Sequence, residues 1–182
     1  MSSATQSVVE IRRLSADQVA AAAPDLATVL LDCVAGGASI SFMADLTRER
    51  AEAFWRGVAQ AARADGRVLF VAEDAEGVLG TVQLIPIGID NQPHRAEVSK
   101  MLVHRRARRR GVGEQLMRAV EAAGRDLGRR LLTLDTMAGE AGERLYVRLG
   151  WVPIGVIPDF ALYPDGRIGD TTFFYKRLEL PS

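Results

Sequence analysis

The stretch that most constrains this chain is VSKMLVHRRARRRGVGEQLM, residues 98–117. An apolar run, Ala96 to Val103, has the character of a β-strand. It passes through a basic turn containing Gly111 and Gly113. It then becomes an amphipathic segment in which Leu116, Val120, Ala123 and Leu127 recur at helical spacing. Strand, glycine turn and helix in direct succession suit an anion site. The first N–H groups of a helix lack intrahelical acceptors, and the helix dipole adds partial positive charge there. A glycine lets the backbone approach the anion because no Cβ intervenes. Arg108, Arg109 and Arg110 surround that opening, which would suit a pyrophosphate. The turn is not a P-loop, since no Gly-Lys-Ser/Thr follows, and Gly111 to Leu116 lacks the third glycine of a dinucleotide fingerprint.

A solvated basic face opening an ordinary helix would also give five arginines between Arg105 and Arg110. Charge balance narrows the choice. Lys plus Arg number 23 and Asp plus Glu number 23, so the chain lacks the excess positive charge of a protein that lives on nucleic-acid contacts. Aromatics are few, and no RNP or helix-turn-helix pattern is present. The basic run therefore reads as local, and no nucleic-acid partner is expected.

The remaining segments order themselves as β α α β β β α β α β β, an α/β pattern with a mixed sheet. Val8 to Leu14 reads as a first strand. Leu26, Val29, Leu30 and Cys33 mark one helix, and Ala51, Phe54, Trp55, Val58 and Ala62 a second, which Gly66 closes. Residues 67–87 read as a hairpin around Asp-Ala-Glu-Gly. Strands at 130–136, 151–157 and 171–180 follow, with a short helix at 141–150 and a loop at 158–170. No internal repeat or linker divides the chain, so one domain over 1–182 is expected.

Cys33 is the sole cysteine, which excludes an intrachain disulfide and a cysteine-rich zinc site, and His94 and His104 make no metal cluster. No metal is expected. The opening MSSATQSVVEIRR lacks a leader's apolar core, and no run approaches a membrane span. A soluble, cytoplasmic protein without a membrane partner is the expectation.

The turn Arg108-x-x-Gly111-x-Gly113 behind a strand, followed by RLYVRLGW after the strand LLTLDT, resembles the GNAT superfamily of N-acetyltransferases. The resemblance runs from VVEIRRL to FFYKRLEL. It implies a mixed, mostly antiparallel central sheet of about seven strands with splayed central strands, flanked by about four helices. It also implies acetyl-CoA as cosubstrate. By the same resemblance, Arg108, Arg109, Arg110, Gly111, Val112 and Gly113 hold the pyrophosphate, largely by main chain, and Met101, Leu102 and Val103 pair their backbone with the pantetheine arm. Tyr146 matches the family's general acid for the departing sulfur, although a lone tyrosine on an amphipathic helix also suits a core.

An ordinary ammonium is mostly protonated at neutral pH, so acetyl transfer to an amine needs a base. Glu97, at the start of the strand before the turn, and Asp135, within the otherwise apolar LLTLDT, are the candidates. A solvated strand end and a cap for the next helix are their ordinary alternatives. His104, embedded among arginines, reads as structural. Acceptor residues are sought in Gly36 to Phe42, in the 88–95 loop and in residues 162–174. They give Ser41, Phe42, Asn91 and His94 as candidates, with Gln92, Asp165 and Asp170 nearby. The small, polar and aromatic mixture suits a small zwitterion or polyamine better than an aromatic amine, and an open groove would admit a protein tail. GASISF, KMLVHRRARRRG, ERLYVRLGW and YPDGRIGDTTFFYKRL further resemble the tabtoxin-resistance acetyltransferases. That closer likeness implies an amino-acid-like acceptor and proton transfer by Glu97 and Asp135. A noncatalytic CoA-binding sensor is the competing class, and a homodimer is admitted.

Overall fold

The computed structural model describes residues 8–180. The leader reading of the first seven residues and the outer limits of the 1–182 domain lie outside them. The elements are β1 (Glu10–Leu14), α1 (Ala16–Ala21), α2 (Ala23–Ala35), α3 (Arg48–Asp65), β2 (Val68–Asp74), β3 (Gly77–Pro86), β4 (Arg95–Val103), α4 (Val112–Asp126), β5 (Leu131–Met137), α5 (Ala141–Arg148), β6 (Val152–Leu162) and β7 (Ile168–Arg177). A 3-10 turn at Arg105–Ala107 joins β4 to the glycine loop.

The seven strands lie in one sheet, in the order β1-β2-β3-β4-β5-β7-β6. All neighbours are antiparallel except β4 and β5. That parallel pair is held only through Arg95↔Leu131, Ala96↔Leu132 and Glu97↔Thr133. Beyond Glu97 the two strands part, while β4 stays paired to β3 as far as Val103 and β5 to β7 as far as Met137. The expected mixed, splayed sheet is therefore present.

Hydrophobic clusters pack both faces. On one, Val98, Leu116, Val120, Leu132, Tyr146, Trp151 and Phe174 join α4 and α5 to the sheet. On the other, Leu26, Leu30, Trp55, Leu69 and Leu102 join α2 and α3 to the β1–β4 half. Because strand side chains alternate faces, Val98 and Leu102 fall into different cores only if the alternation slips between them. It does slip. Thr81 and Gln83 of β3 face Leu102 and Ser99 of β4, leaving one extra residue on β4, the signature of a bulge.

The helix count agrees with expectation, and three local readings are corrected. Five α-helices form among the described residues, in keeping with the expected about four. The additional one, α1, is six residues long, too short for periodicity to show, although Ser15 and Gln18 form a capping box at its start. The expected loop at 158–170 is mostly strand, because Ala161 and Leu162 pair with Gly169 and Ile168. A long bulge between Ile157 and Ala161, with Asp159 at φ 54, hides the alternation. Leu127 caps α4 and is 38% exposed instead of lining its buried stripe. The first strand starts at Glu10, two residues later than its apolar run. No helix among the described residues is long and apolar enough to cross a membrane.

Candidate active site

The parting of β4 and β5 opens a cleft of about 420 Å³. Its walls are the second half of β4, the end of β5, the α2–α3 loop at Ser39–Met43, Tyr146 of α5, and Phe160–Leu162 of β6. The opening follows from the register. From Val98 onward the β4 main-chain groups that would face β5 have no strand beside them, and an unpaired backbone group needs a partner of another kind. Met101 and Leu102 line this cleft. Val103 ends the strand, and its carbonyl accepts a hydrogen bond from the Cys33 thiol at 3.6 Å.

The basic turn leads from β4 into α4. Gly111 occupies the N-cap of α4 at φ 73 with no side-chain cap, so the first-turn N–H groups stay available to an anion. Arg109 also has positive φ, 63°. The run of arginines divides by function. Arg105 donates to Asp32 through its main-chain N–H and its Nε, both at 2.8 Å. Arg106 and Arg110 converge on Asp74 at 3.2 and 3.5 Å, and Asp74 has a side chain only 1% exposed. Three of the five arginines thus neutralise carboxylates of β2 and α2 and fasten the loop to the sheet. Arg110, expected at the cofactor, has its side chain committed to Asp74. Arg108 and Arg109 are exposed beside the helix opening. Gly113 packs closely, since a Cβ there would come 3.1 Å from Leu145.

Burial works against charge on Asp32, but hydrogen bonds from the Arg105 N–H and guanidinium outweigh it and lower its carboxyl pKa. His104 accepts from the Arg106 N–H at 3.1 Å and caps the 3-10 turn, a structural part. Cys33 is buried, and burial first and the Asp32 charge second push its thiol up to about 11, so it is no nucleophile at neutral pH.

Of the catalytic candidates, Asp135 and Tyr146 line the cleft. Asp135 reaches solvent through it, yet desolvation by the surrounding walls raises its carboxyl pKa, with Lys100 pulling the other way. Tyr146 is 5% exposed and packs edge-on to Phe174 at 5.8 Å. Burial, and then the Asp135 charge, raise its phenol pKa, which keeps it protonated. Glu97 pairs with Thr133 at the last rung before the strands part. In a parallel pair, registered residues share a face, so Glu97, Thr133 and Asp135 do too. Glu97 stands at the fork rather than among the cleft-lining residues.

Ser41 and Phe42 line the cleft as expected. Asn91 and His94 do not. They sit exposed in the loop before β4, at the fork end of the strand, where the His94 carbonyl accepts from Arg130 and Leu131. Asp165 pairs with Arg167 in the β6–β7 turn, and Asp170 accepts from the Asp159 N–H at the β6 bulge. Neither reaches the cleft. Lys100, which reasoning from sequence passed over, does. It is the β4 residue with positive φ, 50°, and its ammonium donates to Ser41 Oγ at 3.1 Å. A lysine within the apolar run SKMLV was the available signal.

Residues 65–153, which carry the splay, the turn and α5, match the model of the acetyltransferase (GNAT) domain. By this match and by its sheet topology the chain is GNAT-like. It is 33% identical over 113 residues to an uncharacterised N-acetyltransferase of the hisH–hisA intergenic region in Azospirillum brasilense; the aligned stretch covers 61% of this chain and 66% of that protein. Its fold is similar to that of a phosphinothricin acetyltransferase from Sinorhizobium meliloti in complex with acetyl-CoA, with TM-score 0.78, 20% identity, and 93% of this chain and 88% of that one covered. A ribosomal-protein-alanine N-acetyltransferase from Brucella melitensis gives 0.77 at 23% identity, covering 93% and 99%.

Proposed function

We propose that this protein is an acetyl-CoA-dependent N-acetyltransferase that acetylates the primary amine of a small amino-acid-like molecule by direct attack. The observation that carries the reading is the cleft where β4 and β5 part, which has a carboxylate, Asp135, and a buried phenol, Tyr146, on its walls. The residues fit the cosubstrate. The uncapped start of α4 at Gly111, with Arg108 and Arg109 beside it, suits a pyrophosphate. The side of β4 that β5 leaves open at Met101–Val103 suits the amides of a pantetheine arm. Bound acetyl-CoA supplies the acetyl group and, as the C–S bond breaks, a thiolate. Asp135, with Glu97 at the fork, takes a proton from the incoming ammonium so that nitrogen can attack. Tyr146, held protonated by burial, gives its proton to the sulfur.

The residues around the acceptor side are small, polar and aromatic. An amino-acid-mimicking toxin such as tabtoxinine-β-lactam belongs to the same acceptor class as free amino acids. The test is thiol release from acetyl-CoA over a panel of amino acids, toxin analogues, polyamines and peptide N-termini. Turnover with small amino acids is expected. Turnover with peptides alone would move the acceptor to a protein tail. CoA binding without turnover of any amine would make the protein a sensor. With one active amine, Tyr146→Phe should lower kcat by roughly 100-fold, within the usual range of general acid catalysis, and leave CoA affinity unchanged. Glu97→Gln and Asp135→Asn should lose most rate at low pH and recover as the amine's own pKa is approached. Wild-type pH profiles in both would sink the base assignment.

A further inference from the structure

The cleft contains a cation that the acetyl-transfer chemistry does not use. Lys100 is the extra residue of the β4 bulge, and its positive φ of 50° turns its side chain into the cleft. A bulge re-aims a side chain, and strain of this kind persists only where the surroundings enforce it. The residue that receives its hydrogen bond, Ser41, is also strained, at φ 76. The ammonium lies 5.8 Å from the centre of the Phe54 ring, and Phe54 in turn meets Phe42 edge-on at 5.2 Å. Lys100, Ser41, Phe42 and Phe54 therefore build one cationic wall.

An ammonium has three N–H donors, and Ser41 takes one of them. Asp135 and Glu97 are near enough for their charges to act on Lys100, yet no ion pair joins it to either among the described residues. Desolvation lowers its pKa, and those two carboxylates oppose the shift. A half-buried charge without a counter-ion carries a desolvation cost, and such charges are ordinarily paired. A lysine serving only to neutralise Asp135 would close on it directly. This one instead lines the same cleft as Asp135 without an ion pair to it, with donors to spare.

We infer that Lys100 forms an anion subsite that binds the carboxylate of the acceptor, so that the molecule enters as a zwitterion with its amine toward Asp135. The inference rests on the acetyltransferase reading of the cleft and narrows its acceptor to amines that carry a nearby carboxylate. The aromatic wall at Phe42 and Phe54 shields the pair from water, which strengthens a charge-assisted hydrogen bond.

The experiment compares matched acceptors with the full chain and acetyl-CoA: each free L-amino acid of the panel, its carboxamide and its decarboxylated amine. For wild type, kcat/KM should favour the acid by at least about tenfold, the scale of a lost hydrogen bond to a charge. Lys100→Met should erase that preference mainly through KM for the acid; because the Lys100 charge also acts on Asp135, kcat for acid and carboxamide should change by one common factor, and thermal stabilisation by CoA should persist. Lys100→Arg should keep the preference. Equal losses of kcat/KM for acid and carboxamide in Lys100→Met would overturn the inference, because Lys100 would then act only through Asp135. Wild-type turnover of carboxamides as fast as acids overturns it without any variant, which also decides the matter if Lys100→Met does not fold. Turnover of none of these amines by wild type overturns the small-amine reading and this inference together.

Discussion

Replacing Asp74 by Asn tests whether the arginine run is a fastened loop rather than a diffuse basic patch. The Asp74 carboxylate is 1% exposed and accepts from Arg106 and Arg110, whose side chains are 29% and 27% exposed. A hydrogen bond between charged groups contributes about 1.5–3 kcal/mol, and leaving a buried guanidinium without its partner costs more. Here the cost is tempered. Arg106 keeps Glu76 and the Gly77 carbonyl, and both guanidinium groups regain some water. The amide still accepts through one oxygen, but its NH₂ group now opposes a donor. A loss of about 1.5–3 kcal/mol follows, equivalent to roughly 3–12 °C in Tm for a chain of this size. The loop from Arg105 to Gly113 would keep its tether to Asp32 but lose the one to β2, so CoA affinity should fall, by about tenfold if 1.4 kcal/mol of pre-organisation is lost. Urea unfolding measures the first effect, and CoA-induced thermal stabilisation with calorimetry measures the second. Glu76→Gln is the control. Its side chain is 77% exposed, so it should change stability by less than about 0.5 kcal/mol. The reasoning fails if Asp74→Asn unfolds like wild type and binds CoA with unchanged affinity.

Gly111→Asp places a carboxylate at an N-cap of φ 73, which strains a residue with a Cβ, and Gly113→Asp presses on Leu145; both should fold with reduced stability and lose CoA-induced stabilisation. Retention of full stabilisation by either would remove the pyrophosphate from this turn. Asp135 gives a pH signature. Desolvation raises its folded-state pKa, so the folded protein holds this proton more tightly than the unfolded chain. Its contribution to stability is then present in acid and is lost as pH rises through the folded pKa. Asp135→Asn should therefore melt higher than wild type near neutral pH and converge with it below the ordinary carboxylate range. A lower melting temperature at neutral pH would refute the assignment of its surroundings.

Much of the architecture was written locally. The passage from β4 to α4, the uncapped glycine at its start, the stripe through Leu116, Val120 and Ala123, and the candidates Asp135 and Tyr146 could all be read because each depends on neighbours within a few residues, where helical period and turn chemistry operate. The sequence alone could not assign work to the arginines. Arg106 meets Asp74 and Arg105 meets Asp32 across 32 and 73 residues of chain, and ion pairs at such separations exist only once β2, α2 and the loop are assembled. The same holds for Lys100. Its place in an apolar strand was visible, but its direction depends on a bulge, and a bulge is a property of two strands in register. Residues 158–170 looked like a loop for that reason as well, since β7 supplies the hydrogen bonds that make them strand. Local order came from the chain's own periodicity and caps, whereas the allocation of charge to scaffold or to cleft was decided by tertiary pairing, because a buried charge settles wherever folding brings it a partner or leaves it facing space.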